Sequence, residues 1–204
     1  MLIETFAVGM LSTNCYVVSS EQTKEAIIID PGLEFFSEAQ PIFDYISKSE
    51  LTVKLILNTH GHEDHISGDV IFQKKYGVPI YIHKYDDAYL EGMERNGFPA
   101  PILLAEGSLI KFGDESLTVM FTPGHTPGSI CLLGEKLVFT GDTLFAGGIG
   151  RTDFPGGSVD DIKASLQKLA KLPEYYLVYP GHGPTSIIGE EKRVNPFLNN
   201  MYSF

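Results

Sequence analysis

Basic residues are in short supply in this 204-residue chain. It has 15 Lys and Arg against 26 Asp and Glu, a formal net charge of −11. Phosphate contacts need clustered cations, and Lys74-Lys75 and Lys192-Arg193 are only short pairs. A dedicated nucleic-acid partner is therefore not expected. Cysteine is scarce too. Cys15 and Cys131 are the only two, each inside a strand-like apolar run, so both are expected to be buried free thiols. No stretch approaches the ~18 consecutive apolar residues of a membrane span. The N-terminus, Met1-Leu2-Ile3-Glu4, has neither a basic region nor a long apolar run, so a cytoplasmic location is the default expectation. Low-complexity tracts and linker-like stretches are absent, and residues 1–204 are expected to form one domain.

What is present is ordinary in bulk, with 43% hydrophobic and 20% charged residues. Periodicity predicts strands at Glu4–Val8, Asn14–Ser19, Glu25–Ile29, Val53–Leu57 and Ile80–Ile82. It predicts helices over Phe35–Ser47 and Ile66–Tyr76, the second ended by Gly77. The later half repeats the theme. Strands are expected at Leu109–Phe112, Leu117–Phe121, Ser129–Leu133, Leu137–Thr140 and Leu177–Tyr179. A helix is expected at Val159–Lys171 and another from Glu190, restricted by Pro196. Strand clusters followed by helices, twice over, predict an α/β fold of two sheets with outer helices.

The chemistry lies in the histidines. Thr59-His60-Gly61-His62-Glu63-Asp64-His65 packs three imidazoles and the Asp64 carboxylate, beside Glu63, into six residues after a predicted strand. His125 follows Pro123-Gly124, Asp142 follows Gly141, and His182 follows Pro180-Gly181, all turn signals at strand ends. His60 and His62 alternate by two and can face the same way. Adjacent Asp64 and His65 cannot both join them, which two neighbouring metals would resolve. Mixed nitrogen and oxygen ligands suit zinc first, with iron or manganese as alternatives. His83, closing a strand before Lys84, is expected to be a non-ligand.

These residues resemble the metallo-β-lactamase superfamily, and more narrowly its short glyoxalase II-like hydrolases. The resemblance extends to Thr13-Asn14-Cys15-Tyr16, Ile29-Asp30-Pro31-Gly32, Thr122 to Ser129, Thr140 to Phe145, Gly150-Arg151-Thr152-Asp153-Phe154 and Asn195-Pro196-Phe197-Leu198. It implies an αββα four-layer sandwich with two divalent metal ions at one edge. His60, His62 and His125 would hold the first ion, and Asp64, His65 and His182 the second. Asp142 would bridge them, and Asp64 would orient a metal-bridging hydroxide. The implied activity is hydrolysis of a small-molecule thioester, hydroxyacylglutathione or a related acyl-thiol, with a lactone or other ester as an alternative. A thiolate leaving group has a conjugate acid near pKa ~8.5 and departs without a proton, which favours thioesters over amides.

The chain runs about twenty residues past His182. The basic C-terminal region that holds glutathione in full-length glyoxalase II is expected to be missing. Gly150 to Phe154 also resembles persulfide dioxygenases, in which His60, His125 and Asp142 would hold a single iron. Arg151 is a candidate for an anionic substrate group, or else a turn fastener paired with Asp153. Tyr85, Tyr89 and Phe145 are candidate pocket aromatics or core residues.

Overall fold

The computed structural model describes residues 1–90 and 99–199. Two six-stranded mixed sheets lie face to face. The first contains β1 (Leu2–Val8), β2 (Thr13–Ser19), β3 (Glu25–Ile29), β4 (Thr52–Leu57), β5 (Ile80–His83) and β6 (Ile102–Leu104) in chain order. β1 to β3 are antiparallel, and β3 to β6 are parallel. The second contains β7 (Leu109–Phe112), β8 (Glu115–Phe121), β9 (Ile130–Leu133), β10 (Leu137–Gly141), β11 (Leu177–Pro180) and β12 (Ser186–Ile187). Only β10 and β11 run parallel in that sheet.

Strand alternation builds three apolar layers. On β2 to β4, Tyr16, Val18, Ile27, Ile29, Leu55 and Leu57 point inward against Leu117, Leu132 and Phe139 of the second sheet. Their neighbours Cys15, Val17, Ile28 and Ile56 point outward. There they meet α1 (Ala39–Lys48) and α3 (Asp69–Tyr76), which contribute Ile42, Ile46 and Phe72. Strands covered on both faces have no polar side to present, so they read as continuous apolar runs. The outer face of the second sheet is covered by α4 (Val159–Leu169) and α5 (Ile188–Val194) through Ile162, Leu166, Leu169 and Ile188. Ser158 caps α4 by accepting from the Asp161 backbone N–H at 3.2 Å, with Asp160 and Asp161 favouring its positive end. The layers are therefore αββα. Both cysteines are buried and free. Among the described residues no helix is long and apolar enough to cross a membrane.

The structure departs from the sequence reading in several elements. The helix expected from Phe35 is a 3-10 turn, Phe36–Glu38, followed by α1 from Ala39. Pro41 stands in the first turn of α1, where its missing N–H costs nothing, and it blocks continuation upstream. The helix expected from Ile66 is split into α2 (Glu63–Ile66) and α3. Its break is at Gly68, whose N–H goes to the Pro31 carbonyl at 2.8 Å. A Cβ at that position would sit 2.2 Å from the same oxygen. The helix expected at Val159–Lys171 ends at Leu169, and the one expected from Glu190 begins at Ile188. β6 and β12, both short edge strands, had no counterpart in the pattern.

Candidate metal centre

Every ligand candidate lies at one edge of the sandwich, delivered by a strand end or the turn after it. β4 leads into His60, His62 and α2, which carries Asp64 and His65. β8 leads to His125, β10 to Asp142 and β11 to His182. The two sheets are fastened at this edge. Asn14 donates its backbone N–H to the Gly181 carbonyl at 2.7 Å, and its side chain donates to the Pro180 and Gly183 carbonyls. Tyr16 donates its hydroxyl to the Pro180 carbonyl at 2.6 Å.

The seven candidates converge. His60, His62 and His125 form one group, Asp64, His65 and His182 another, and His60, His65 and Asp142 a third. Within each group the potential ligand atoms lie within 4.8 Å of one another. The Asp142 carboxylate stands between the first two groups. Its Oδ1 is 3.4 Å from His65 Nε2, and its Oδ2 is 3.4 Å from His125 Nε2 and 3.5 Å from His182 Nε2. Asp64 Oδ2 is 3.2 Å from His182 Nε2 and accepts from the Thr13 hydroxyl at 3.1 Å.

Hydrogen bonds behind the imidazoles decide which nitrogen faces the centre. His125 Nδ1 donates to the Arg151 carbonyl at 2.8 Å, and His182 Nδ1 to the Leu11 carbonyl at 3.1 Å. His65 Nδ1 donates to Asp30 Oδ2 at 3.0 Å. The Thr59 hydroxyl gives its own proton to Asp30 at 2.7 Å, so its lone pair accepts from His60 Nδ1 at 3.1 Å. Each of these rings therefore aims Nε2 inward. Backing of this kind sets the tautomer and raises ligand basicity.

The residues fit a cation. His60 Nε2 and Asp142 Oδ1 are buried with no hydrogen-bond partner, a costly condition unless something else binds them. Tetrahedral ligands held ~2.0–2.1 Å from zinc stand roughly 3.3 Å from one another. His65 Nε2 and His182 Nε2 are 3.3 Å apart, and His62 Nδ1 and His125 Nε2 are 2.9 Å apart.

Without cations the charge balance falls to protons. Burial and the neighbouring imidazoles, led by His65, push His60 well below the ordinary imidazole range. Burial also opposes protonation of His65, but the carboxylates of Asp142 and Asp30 outweigh it and hold its pKa well above that range. His182 is raised as well, burial being overcome by Asp64 and Asp142. Asp142 is held low, because His65 and the other imidazoles outweigh its burial. The carboxylates thus hold protons where a cation would replace them, and metal binding would release those protons.

The family model for the metallo-beta-lactamase superfamily matches residues 8–182. The chain belongs to that superfamily. It is 36% identical to the hydroxyacylglutathione hydrolase GloC of Haemophilus influenzae, over 98% of this chain and 99% of that one. The crystal structure of BLEG-1 B3 metallo-beta-lactamase superposes with a TM-score of 0.84 at 35% identity, covering 97% of this chain and 99% of that one. TTHA1623 in a di-iron-bound form superposes at 0.80 with 32% identity, over 97% and 100% of the two chains. In this superfamily context the His/Asp cluster is a divalent-metal site of a metallo-hydrolase fold.

The other candidates fall around this centre. Arg151 chelates Asp153 through two 2.7 Å hydrogen bonds, and its guanidinium lies 3.7 Å above the Phe154 ring. Phe154 in turn packs edge-on against His62 at 5.7 Å. Phe145 packs edge-on against His182 at 6.0 Å. Tyr85 leans on His83 and Phe121, and the side chain of Tyr89 lies outside the described residues. His83 is buried, stacked on Phe121 at 4.5 Å, and belongs to none of the ligand groups. A groove of about 550 Å³ opens beside Asp64, lined by Met10, Leu11, Leu33, Phe35 and Phe36 with Glu34 and Glu63.

Sequence reasoning missed the residues that hold the loops. Asp86 accepts from Gly61, Thr126 and Gly128. Glu191 accepts from the Gly147 N–H and from Asn195, and Asn195 donates to the Phe145 and Gly148 carbonyls, fixing the loop after Asp142. Asn195 stood in a quoted motif without a role. Asp86 gave no signal in the sequence.

Proposed function

We propose that this chain hydrolyses a small-molecule thioester, using two divalent cations held by His60, His62 and His125 and by Asp64, His65 and His182, with Asp142 between them. The observation that carries the reading is the Asp142 carboxylate, which has one oxygen toward His65 and the other toward His125 and His182. A single-ion site would leave Asp64 and His182 without a purpose. Zinc suits the donor set, and iron is the alternative. Bound cations of this kind lower the pKa of coordinated water to about 7 and polarise a carbonyl.

The chain's own residues then do three things. Four of the imidazoles, those of His60, His65, His125 and His182, turn Nε2 toward the centre, because their outer nitrogens donate to backbone carbonyls, Asp30 or Thr59. Asp64, fixed by Thr13 and His182, offers a carboxylate held well below the usual range: burial opposes ionisation, and His182, His65 and Thr13 outweigh it. That carboxylate, ionised and fixed in place, would orient the nucleophile. The groove beside Asp64 has no Lys or Arg in its lining, and its aromatic and aliphatic walls suit an uncharged acyl group. The leaving thiolate needs no general acid.

The test is metal analysis of the purified protein with a panel of hydroxyacylglutathione, other acyl-thiols, lactones and a penicillin. Thioester turnover that needs metal and is abolished in His62→Ala supports the proposal. Turnover unaffected by His62→Ala rejects it. Oxygen uptake with a persulfide, in place of thioester cleavage, would assign the site to oxidation instead.

A further inference from the structure

One buried carboxylate reaches both loops that supply the three-histidine group. Asp86 follows β5 and is fully buried. Its Oδ2 accepts from the Gly61 N–H at 2.9 Å and the Thr126 hydroxyl at 2.6 Å, and its Oδ1 accepts from the Gly128 N–H at 2.7 Å. Gly61 is the spacer between His60 and His62. Thr126 and Gly128 lie immediately after His125. Two independent strand ends, β4 and β8, are thus clasped by one side chain.

The clasp is built with care on each side. The Asp86 N–H goes to the His83 carbonyl at 2.9 Å, which fixes the turn carrying the carboxylate. Thr126 spends its proton on Asp86 and accepts in turn from the Ser129 hydroxyl at 2.8 Å. Gly128 admits the approach, since a Cβ there would lie 2.5 Å from the Asp86 carboxyl carbon. No Lys or Arg pairs with Asp86 among the described residues, so three neutral donors alone offset the desolvation of its charge. The Asp64, His65 and His182 group has separate backing from Asp30, Thr13 and Leu11; Asp30 also reaches the His60 loop through Thr59, but it makes no contact with the His125 loop among the hydrogen bonds of the described residues.

We propose that Asp86 is the positioning residue of the three-histidine half of the centre: it sets the spacing between the His60/His62 loop and the His125 loop, and so governs the affinity of the first cation selectively. The inference rests on the two-cation reading above. It is tested on the full chain, stripped of metal and titrated with cobalt(II). The spectrum of each ion is assigned from His62→Ala and His182→Ala, which each damage one group.

Asp86→Ala is expected to weaken the first ion by about 10- to 100-fold, as lost outer partners of metal ligands do. The second ion is expected to keep its affinity within about threefold. Equal weakening of both ions, or none, overturns the proposal. If Asp86→Ala does not fold, Thr126→Val carries the test, because it removes one bond of the three. A selective loss at the first ion supports the clasp, and unchanged binding of both ions overturns it. A wild-type chain that binds no divalent ion overturns the two-cation reading and this proposal with it. That outcome is distinct from wild-type binding of two ions with no response to Asp86→Ala, which sinks the clasp alone.

Discussion

Asp30 Oδ2 and His65 Nδ1 meet at 3.0 Å, with both side chains sealed from solvent. The same carboxylate accepts from the Thr59 backbone N–H and from its hydroxyl, each at 2.7 Å. Asp30 therefore sets the orientation of His65 directly and of His60 through Thr59. Its backbone has φ +51°, a left-handed conformation that Asn also tolerates. Asp30→Asn keeps shape and backbone but removes the charge behind His65. It is expected to lower affinity for the second cation by about 10- to 100-fold. Equilibrium titration with zinc or cobalt measures this, and affinity equal to wild type would refute the role.

Metal and acid compete for the same groups, and this gives a pH dependence with a definite sign. In the metal-free protein His65 has a folded pKa above its unfolded value of about 6.5. Its contribution to stability is fully present below that pH and is lost as pH rises through the folded value. Asp142 works at the other end, its folded pKa being depressed. Its contribution is present above the unfolded carboxylate value of about 3.9 and is lost as pH falls through the folded one. Cation binding needs unprotonated imidazoles, so it strengthens as pH rises. The melting temperature of chelator-treated protein is expected to fall as pH rises above about 6.5 while that of metal-loaded protein holds. Paired thermal melts across that range check it; a gap that narrows with rising pH contradicts the assignment.

Arg151 and Asp153 use each other fully, and the pair is exposed, with side chains 54% and 68% accessible. Exposed pairs are screened, so neither Arg151→Ala nor Asp153→Ala is expected to move the melting temperature appreciably. If the pair serves to hold Phe154 against His62, both variants release the ring. They should then lower kcat/KM by the same modest factor, in kcat more than in KM. If Arg151 instead binds an anionic group of the substrate, only Arg151→Ala raises KM, and Asp153→Ala lowers it by freeing the guanidinium. Steady-state kinetics with one anionic and one neutral thioester separate the two, and the parallel outcome is expected.

The convergence of the seven candidates was legible because their residue types are rare at such spacing and their segments follow predicted strands. His83 closes a strand with no turn signal and no second candidate beside it, and among the described residues it joins none of the candidate ligand groups. The helix errors had visible causes that periodicity outweighed, namely Pro41 and Gly68. Gly68 breaks the helix because its N–H is claimed by Pro31, a contact between segments far apart in the chain. The short edge strands β6 and β12 pair over three and two residues, too few for any pattern to register. Asp86 was invisible in principle. Next to Asp87 in a polar stretch it reads as a solvated side chain, and only the approach of Gly61, Thr126 and Gly128 makes it a clasp.

Gly181 tests how closely the fold is built around the Asp142 carboxylate. An added Cβ would lie 2.2 Å from Asp142 Oδ1 and 2.9 Å from His65 Cε1. The backbone cannot retreat easily, because the Gly181 N–H is bonded to the Gly141 carbonyl at 2.8 Å and its carbonyl accepts from Asn14 at 2.7 Å. The side chain has to yield instead, and the oxygen that yields faces His65. Gly181→Ala is therefore expected to weaken both cations together, unlike Asp86→Ala, since Asp142 touches both groups. Overpacking in the fixed surroundings should cost about 1–3 kcal/mol in the metal-free protein, readable by denaturant unfolding. A Gly181→Ala protein that keeps wild-type affinity for both ions would mean that Asp142 does not stand between them.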